Sequence, residues 1–439
     1  MGSKFQRPAA KETPIGLGRG GILAAGSVAV SAFTTLCSVA ATILILRVLS
    51  REEAGKFAFL VELLYSVGLL GSLGQFVLQA RLYHQAPAGY FDWRRDAWST
   101  IWITAPFVVV AVLAIAIPYE LTVFQMTFLC LGAELFVLTN CFSAVLGQQQ
   151  HYAWSSALLR MGNGLLIFPA LLMLANQSLR RLDFILVSLL VFLGVAALVG
   201  GILLARRLER GQGRITIRQR VSGLIFLASI LALLVPQRGL IVVAGAMLSP
   251  EKVAALAALA SILRVFDLVG EPAGRVFSTE MARHPRVISR GLLVAPWLLA
   301  GLISAVLVVA LPPVAHYFYA GRYDAALGLV NWLVVAGALR FVEIVPRGFL
   351  AYLAPARSFN WYTAVQCGCA VAGLVLMVKW TADYGLNGTV WAGALIAAAR
   401  VGISYLFFAM VQRARTGSMT AGEGLVIEPI ETGSEEPPV

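Results

Sequence analysis

The chain has 439 residues, of which 59% are apolar and only 13% are charged, and its formal net charge is +12. Soluble domains carry about 25% charged residues, because their surfaces face water. The composition therefore excludes a soluble globular protein and indicates a chain that crosses the membrane many times.

A membrane-spanning helix requires roughly 20 mostly apolar residues, and twelve runs in the sequence meet this requirement. We predict spanning helices over 21–46, 57–80, 98–118, 121–146, 154–175, 184–205, 221–247, 253–276, 291–311, 326–352, 360–380 and 386–411. Prolines within the runs, such as Pro169 and Pro346, predict kinks. Gly68, Gly71 and Gly74 recur at a spacing of three, which predicts close packing or bending in the second helix.

Two motifs recur at similar distances along the chain. Residues 49–55 read L-S-R-E-E-A-G, and residues 248–254 read L-S-P-E-K-V-A, at a shift of 199. A second pair, from Val145 and from Tyr352, matches Trp154 with Trp361 at a shift of 207. Two such pairs indicate that one half-length unit was duplicated, which is a common transporter plan.

Lysine and arginine near the helix ends predict the orientation. If the N-terminus is cytoplasmic, the inner segments hold about 19 of these residues and the outer loops about eight. We therefore place both termini in the cytoplasm. The predicted domains are a basic N-terminal segment (1–20), a first six-helix bundle (21–205), a basic cytoplasmic linker (206–220), a second six-helix bundle (221–412) and a disordered acidic tail (413–439).

The basic linker 206–220 has two interpretations. It could anchor the topology by lying on anionic lipid, or it could dock a partner. The sequence favours the first interpretation without excluding the second.

Ionisable residues inside spanning helices are costly, and they usually face a cavity or each other. In the eighth predicted helix Arg264, Asp267, Glu271 and Arg275 follow one face. Arginines of several helices could line a water-filled cavity for an anionic head such as pyrophosphate, because guanidinium groups bind phosphate oxygens in pairs. The candidate substrate-binding residues are Arg160, Arg238, Arg264, Arg340, Arg347 and Arg400.

The acidic residues leave two alternatives open. They could couple transport to an ion, or they could pair with the arginines and hold helices together. These residues are Glu62, Glu134, Asp267, Glu271 and Glu343. We find no hydrolase, phosphate-loop or metal-ligand motif in the sequence, so we predict no metal, no cofactor and no enzymatic activity.

The first hairpin resembles a known family. R-V-L-S-R-E-E-A-G-K-F-A-F-L-V-E-L-L, from Arg47, continues to G-S-L-G-Q-F-V-L-Q-A-R, which ends at Arg81. These residues are similar to the polysaccharide transporter family, which includes O-antigen and lipid-linked oligosaccharide flippases of the multidrug/oligosaccharidyl-lipid/polysaccharide exporter superfamily. Ala54 departs from the aromatic residue usual before the glycine, and the hairpin at 340–365 is similar with less specificity.

The resemblance implies two pseudo-symmetric six-helix bundles around a central cavity, alternating access, and residence in the bacterial inner membrane. It implies a flippase that moves an isoprenoid-pyrophosphate-linked oligosaccharide to the outer leaflet for surface polysaccharide synthesis. The implied partners are this lipid-linked substrate, membrane lipid and polysaccharide polymerase or assembly proteins, with no nucleic acid.

Three alternatives remain. One is a cation-coupled drug exporter of the same superfamily, the second is a polytopic glycosyltransferase, and the third is a scaffold of polysaccharide assembly.

Overall fold

The computed structural model describes residues 17–85, 90–149, 151–208, 211–264, 266 and 290–420. These residues are almost entirely helical, and their only β-type pairing is a single bridge between Phe91 and Gly213. Ten helical segments among them are long and apolar enough to cross a membrane. The prediction of an all-α, multi-pass membrane protein is confirmed.

The described residues of the first half form eight α-helices that account for six spans. They are α1 (Leu17–Val48), α2 (Arg51–Gly71), α3 (Gln75–Gln85), α4 (Trp93–Tyr119), α5 (Val123–Gln148), α6 (Tyr152–Leu165), α7 (Ile167–Ala175) and α8 (Leu182–Arg207). Helix α1 packs against α6, and α5 packs against α2, α4 and α8. The six predicted spans of this half coincide with these helices.

Among its described residues, the second half contains the short helix α9 and seven longer helices. They are α9 (Ile217–Ser222), α10 (Leu224–Met247), α11 (Pro250–Ile262), α12 (Arg290–Tyr319), α13 (Val330–Val342), α14 (Ile344–Leu353), α15 (Ala356–Tyr384) and α16 (Leu386–Thr420). Helix α10 packs against α15, and α13 packs against α12 and α16. The eighth predicted span is described only as far as residue 266, whereas α16 continues beyond the predicted end at 411.

The two copies of the Leu-Ser turn begin equivalent helices and meet each other. Ser50 is the N-cap of α2 and accepts a hydrogen bond from the backbone N–H of Glu53, while Ser249 is the N-cap of α11. A Cβ added to Gly55 would overlap the backbone carbonyl of Pro250. Only glycine permits this approach, so the motif fixes a close contact between the two halves.

A second contact joins the halves at the same end of the molecule. Arg322 follows α12, and its guanidinium donates to the carbonyl oxygens of Arg47 at 2.5 Å and Leu49 at 2.9 Å. The hydroxyl of Tyr323 donates to the carbonyl of Leu46 at 3.1 Å. The last carbonyl groups of a helix lack hydrogen-bond partners within the helix. Arg322 and Tyr323 of the second half supply these partners and thereby cap the C-terminal end of α1 in the first half.

The second predicted span, 57–80, is not a continuous helix. Leu73 and Gly74 adopt φ values of 48° and 76°, and these left-handed residues separate α2 from α3. A Cβ on Gly68 would lie 2.7 Å from the Phe136 ring. The glycine series therefore serves both predicted purposes, with helix packing at Gly68 and a bend at Gly74.

The predicted spans 154–175 and 326–352 are also broken, and in both a proline explains the position of the break. Helix α6 ends at residue 165, four residues before Pro169, and α13 ends at residue 342, four residues before Pro346. Proline has no N–H to donate to the carbonyl four residues earlier, so the helix is interrupted at that carbonyl. The kinks predicted at Pro169 and Pro346 are present as breaks, whereas Pro106 and Pro296 lie inside continuous helices.

The segment between the halves folds onto the first half. The N–H of Gly213 donates to the carbonyl of Tyr90 at 2.8 Å, and the N–H of Asp92 donates to the carbonyl of Gly213 at 2.9 Å. Arg220, at the end of the predicted linker, is 4% exposed and forms an ion pair with Asp96 at 3.1 Å. This end of the linker is therefore buried against protein.

Candidate functional site

A cavity of about 650 Å³ lies between the two halves. Helices α1, α2, α5 and α6 line it from the first half, and α10, α11, α13, α14 and α16 line it from the second. All six arginines predicted to form a cationic site line this cavity, namely Arg160, Arg238, Arg264, Arg340, Arg347 and Arg400. Two of the predicted acids, Glu62 and Glu343, line it as well.

The sign of the charge in the cavity follows from this lining. Six arginines and two glutamates give a formal excess of four positive charges over the described lining residues. A water-filled space between low-dielectric helices concentrates the field of such charges. The cavity is therefore electrostatically suited to an anion.

Arg238 of α10 connects the two halves inside the cavity. Its guanidinium forms an ion pair with Glu62 of α2 at 2.6 Å and stacks over the ring of Tyr65 at 4.8 Å from the ring centroid. Arg264, which follows α11, approaches the other oxygen of Glu62 at 3.8 Å. Glu62 is 7% exposed at its side chain, whereas the two arginines are 26% and 29% exposed and reach the open space.

The first half contributes mainly hydroxyl and amide groups to the cavity. Arg160 donates to the hydroxyl of Ser31 at 3.0 Å, and the Tyr65 hydroxyl donates to the Asn163 side chain at 2.7 Å. Thr35, Ser38 and Thr42 line the same wall from α1. The sequence analysis missed these residues, although the spacing 31, 35, 38 and 42 in an apolar run places four hydroxyls on one helix face.

A fully buried ion pair lies in the wall of the second half. Glu343 and Arg400 are 4% and 2% exposed, and their charged atoms are 2.8 Å apart. The hydroxyl of Ser404 also donates to Glu343 at 3.2 Å. The Nε and Nη1 atoms of Arg400 have no hydrogen-bond partner among the described residues. Because the carboxylate of Glu343 is paired with Arg400, this ion pair contributes to helix packing at least as much as to ligand binding in the cavity.

The remaining predicted residues have different surroundings. Arg340 and Arg347 lie on α13 and α14 and line the cavity, with no ion pair to another described residue. Glu134 is absent from the described lining of the cavity and accepts a hydrogen bond from Thr104 of α4 at 2.9 Å. Asp267 and Glu271, with Arg275, lie outside the described residues.

The cavity lining offers several groups that can bind a polar ligand. Within the described ranges no three His, Cys, Asp or Glu side chains are grouped as a metal site would require. The five described cysteines are free thiols. The arrangement offers guanidinium donors for a polyanion and hydroxyl and amide groups for a polar ligand.

Comparison with solved structures identifies the fold. A multidrug resistance MATE family transporter of the MOP superfamily, in its inward-facing conformation, aligns over 91% of this chain and 100% of its own with a TM-score of 0.62 and 13% identity. The lipid II flippase MurJ, in an inward closed conformation, aligns over 90% of this chain and 91% of its own with a TM-score of 0.62 and 11% identity. An outward-facing MATE transporter gives a TM-score of 0.56 at 14% identity.

No family model and no curated protein sequence matches the chain. The structural likeness nevertheless extends over almost the whole of both chains, so the protein has the fold of MOP-superfamily transporters. The fold implied by the resemblance of the first hairpin is thereby confirmed. Proteins with this fold therefore include a multidrug resistance transporter and a lipid II flippase.

Proposed function

We propose that the protein is a flippase that moves an isoprenoid-pyrophosphate-linked oligosaccharide from the cytoplasmic to the outer leaflet of the bacterial inner membrane. The polar head crosses through the cavity while the isoprenoid tail stays in the bilayer, and the two halves alternate access to the cavity. The observation that carries the proposal is the excess of arginines in the cavity.

The pyrophosphate fits the arginines in charge and in geometry. A planar guanidinium binds two phosphate oxygens in parallel, and Arg238 and Arg264 both extend into the cavity from the second half. The hydroxyls of α1 face the same space and can donate to or accept from sugar hydroxyls. The site therefore provides one set of groups for the phosphates and another for the glycan.

Glu62 occupies the position that the substrate anion would take. Its carboxylate pairs with Arg238 at 2.6 Å and approaches Arg264 at 3.8 Å. An incoming pyrophosphate competes for these guanidinium groups and would release the link between α2 and α10. In this account binding loosens one contact between the halves, and Glu62→Gln is expected to bind a pyrophosphate analogue more tightly than the wild type does.

A cation-coupled drug exporter is the second candidate, because MATE transporters share the fold. The charge of the cavity argues against a cationic drug, since six arginines repel it and both lining glutamates lie beside arginines. The exporter would still be compatible with an anionic compound. The two candidates differ in the lipid intermediates that cells accumulate.

Depletion of the protein, followed by extraction of cellular lipids, tests the proposal. We expect a completed isoprenoid-pyrophosphate oligosaccharide to accumulate while surface glycan is lost. Unchanged lipid intermediates would contradict the proposal and favour an exporter, and truncated intermediates would favour a glycosyltransferase.

Complementation then tests the arginines with a matched control. The double variant Arg238→Gln/Arg264→Gln is expected to leave the intermediate accumulated. The variant Arg357→Gln/Arg413→Gln removes the same charge from exposed positions and is expected to restore the wild-type lipid profile. Equal complementation by both variants, at equal membrane levels, would refute a role for the cavity arginines.

A further inference from the structure

A second concavity, of about 740 Å³, lies on the outer surface of the first half. One wall is the first three turns of α4, with Trp98 and Trp102, and the other is the segment from Arg214 to Ile217. We refer to it as the α4 groove. It is separate from the central cavity, and the described residues that line the two concavities do not overlap.

Buried hydrogen bonds and an ion pair form the floor of the α4 groove. The backbone N–H of Ile215 donates to Asp96 at 3.2 Å, and the guanidinium of Arg220 donates to the same carboxylate at 3.1 Å. The Arg220 side chain also donates to the Thr100 hydroxyl at 3.1 Å. The linker segment is therefore held against α4 at a fixed distance, and the groove between them is preformed.

The walls of the α4 groove are apolar and uncovered. Trp98 and Trp102 are 61% and 68% exposed and contact each other edge to face, and Ile217 is 71% exposed. The exposed apolar face of α4 continues along the helix through Val110 and Ile117, which are 65% and 83% exposed. Tryptophans at the end of a spanning helix are typical of the boundary between hydrocarbon and headgroups, so an acyl chain can follow this face.

The accessible charge at the rim is positive. Arg95 is 73% exposed at its side chain, and Arg214 is exposed as well. The nearby acids are shielded, since Asp92 is 16% exposed and lies 3.5 Å from Arg95, and Asp96 is 3% exposed and paired with Arg220. An anion at the rim would meet two guanidinium groups and no uncompensated carboxylate.

We propose that the α4 groove binds a phospholipid with a net anionic headgroup. Arg95 and Arg214 contact the phosphate, Trp98 and Trp102 flank the glycerol region, and one acyl chain lies along α4. The bound lipid contacts both the linker and α4. It therefore stabilises the docking of the linker, and with it the start of the second half, on the first half.

Lipid titration tests the site. The purified full chain in phosphatidylcholine nanodiscs is compared with the same chain in nanodiscs that contain increasing phosphatidylglycerol, and the thermal unfolding midpoint and the lipids retained in native mass spectrometry are measured. Each arginine beside an anionic headgroup contributes about fivefold in affinity, so Arg95→Gln/Arg214→Gln is expected to weaken phosphatidylglycerol retention roughly 25-fold. The midpoint should then no longer rise with phosphatidylglycerol.

The control variant is Arg357→Gln/Arg413→Gln, which loses the same charge from exposed positions of α15 and α16. It is expected to retain phosphatidylglycerol as the wild type does. Equal loss in both variants would overturn the proposal, because it would reveal attraction to net charge alone.

Brominated phosphatidylglycerol provides a readout that does not depend on stability. It should quench tryptophan fluorescence more in the wild type than in Trp98→Phe/Trp102→Phe, and more than brominated phosphatidylcholine does. Equal quenching by the two lipids would also overturn the proposal.

Discussion

The buried pair of Glu343 and Arg400 permits a quantitative test of how the charges in the second half act. Their charged atoms are 2.8 Å apart, and each residue is less than 5% exposed. Replacing Glu343 by Gln keeps the size of the side chain and leaves Arg400 buried without its counterion. Breaking a buried pair from one side costs about 3–5 kcal/mol, because the remaining charge is desolvated and uncompensated.

The double variant Glu343→Gln/Arg400→Met removes both charges together. Replacing a whole buried pair by neutral groups is often close to neutral in stability, so the double variant should lose less than either single variant. We therefore expect a favourable coupling energy of about 2 kcal/mol or more from the double-mutant cycle. Even a coupling energy of about 1 kcal/mol would exceed the deviation from additivity of about 0.5 kcal/mol that is found for independent sites.

The assay is reversible unfolding of the purified protein in mixed micelles, followed by far-ultraviolet circular dichroism for the wild type, both single variants and the double variant. Flipping activity is measured in the same four proteins. Additive losses would refute the pairing. A stable double variant that has lost all activity would refute our interpretation that this pair serves packing, and would place Arg400 among the substrate-binding groups.

Three further predictions concern other parts of the fold. Gly55→Ala should lose about 3 kcal/mol or more of stability, because the new methyl group overlaps the backbone of the facing helix α11; unfolding measurements check this. Arg322→Gln removes the guanidinium hydrogen bonds to the carbonyls at the end of α1 and should open that end of the cavity. A cysteine placed at Thr42 in a cysteine-free background should then be labelled faster. Burial and the charge of Arg207 lower the pKa of His151 below its usual 6.5, so the neutral ring is favoured in the fold, and stability present above pH 6.5 is lost on acidification. His151→Gln should flatten this dependence in unfolding midpoints measured between pH 5 and pH 8, roughly 1.5 pH units either side of the usual value.

Each of these predictions has a control or a contradicting result. Gly301→Ala is the control for Gly55, since a Cβ there meets nothing within 4 Å, and equal losses at both glycines would contradict the close contact. An unchanged labelling rate of the cysteine at position 42 in Arg322→Gln would contradict the role of Arg322, because packing of the helices alone would then close this end of the cavity. Parallel pH curves for the wild type and the His151 variant would contradict the depressed pKa.

The sequence was sufficient for ten of the twelve predicted spans and for the cationic character of the described cavity lining. Apolar length alone predicts a spanning helix, and residues spaced by three, four and seven share a helix face. Arg340 and Arg347 are seven positions apart, so one face of the predicted tenth span would carry both. They do line the same cavity, although the span breaks between them. The repeated Leu-Ser turn also predicted two related halves, and both serines are N-caps.

The contacts between helices could not be predicted in the same way. Glu62 and Arg238 are 176 positions apart, and no helical periodicity links residues in different helices. The glycine series indicates a bend in the second span, but it does not indicate the left-handed backbone at Leu73, a residue type that normally avoids this conformation. In the sequence, Arg220 is indistinguishable from the other basic residues of the linker, whereas in the structure tertiary packing buries it against Asp96.

The central claim is that a cationic cavity moves a lipid-linked pyrophosphate across the bilayer, and proteoliposomes test it most directly. A fluorescent isoprenoid-pyrophosphate disaccharide is placed in both leaflets, and an impermeant reagent then quenches what reaches the outer surface. We predict that the wild type and Arg357→Gln/Arg413→Gln expose the whole pool to the reagent, whereas Arg238→Gln/Arg264→Gln leaves about half protected, as protein-free vesicles do, because only one leaflet faces the reagent. Protection of half the pool by the wild-type protein, with transport of a non-lipid compound in the same vesicles, would contradict the account.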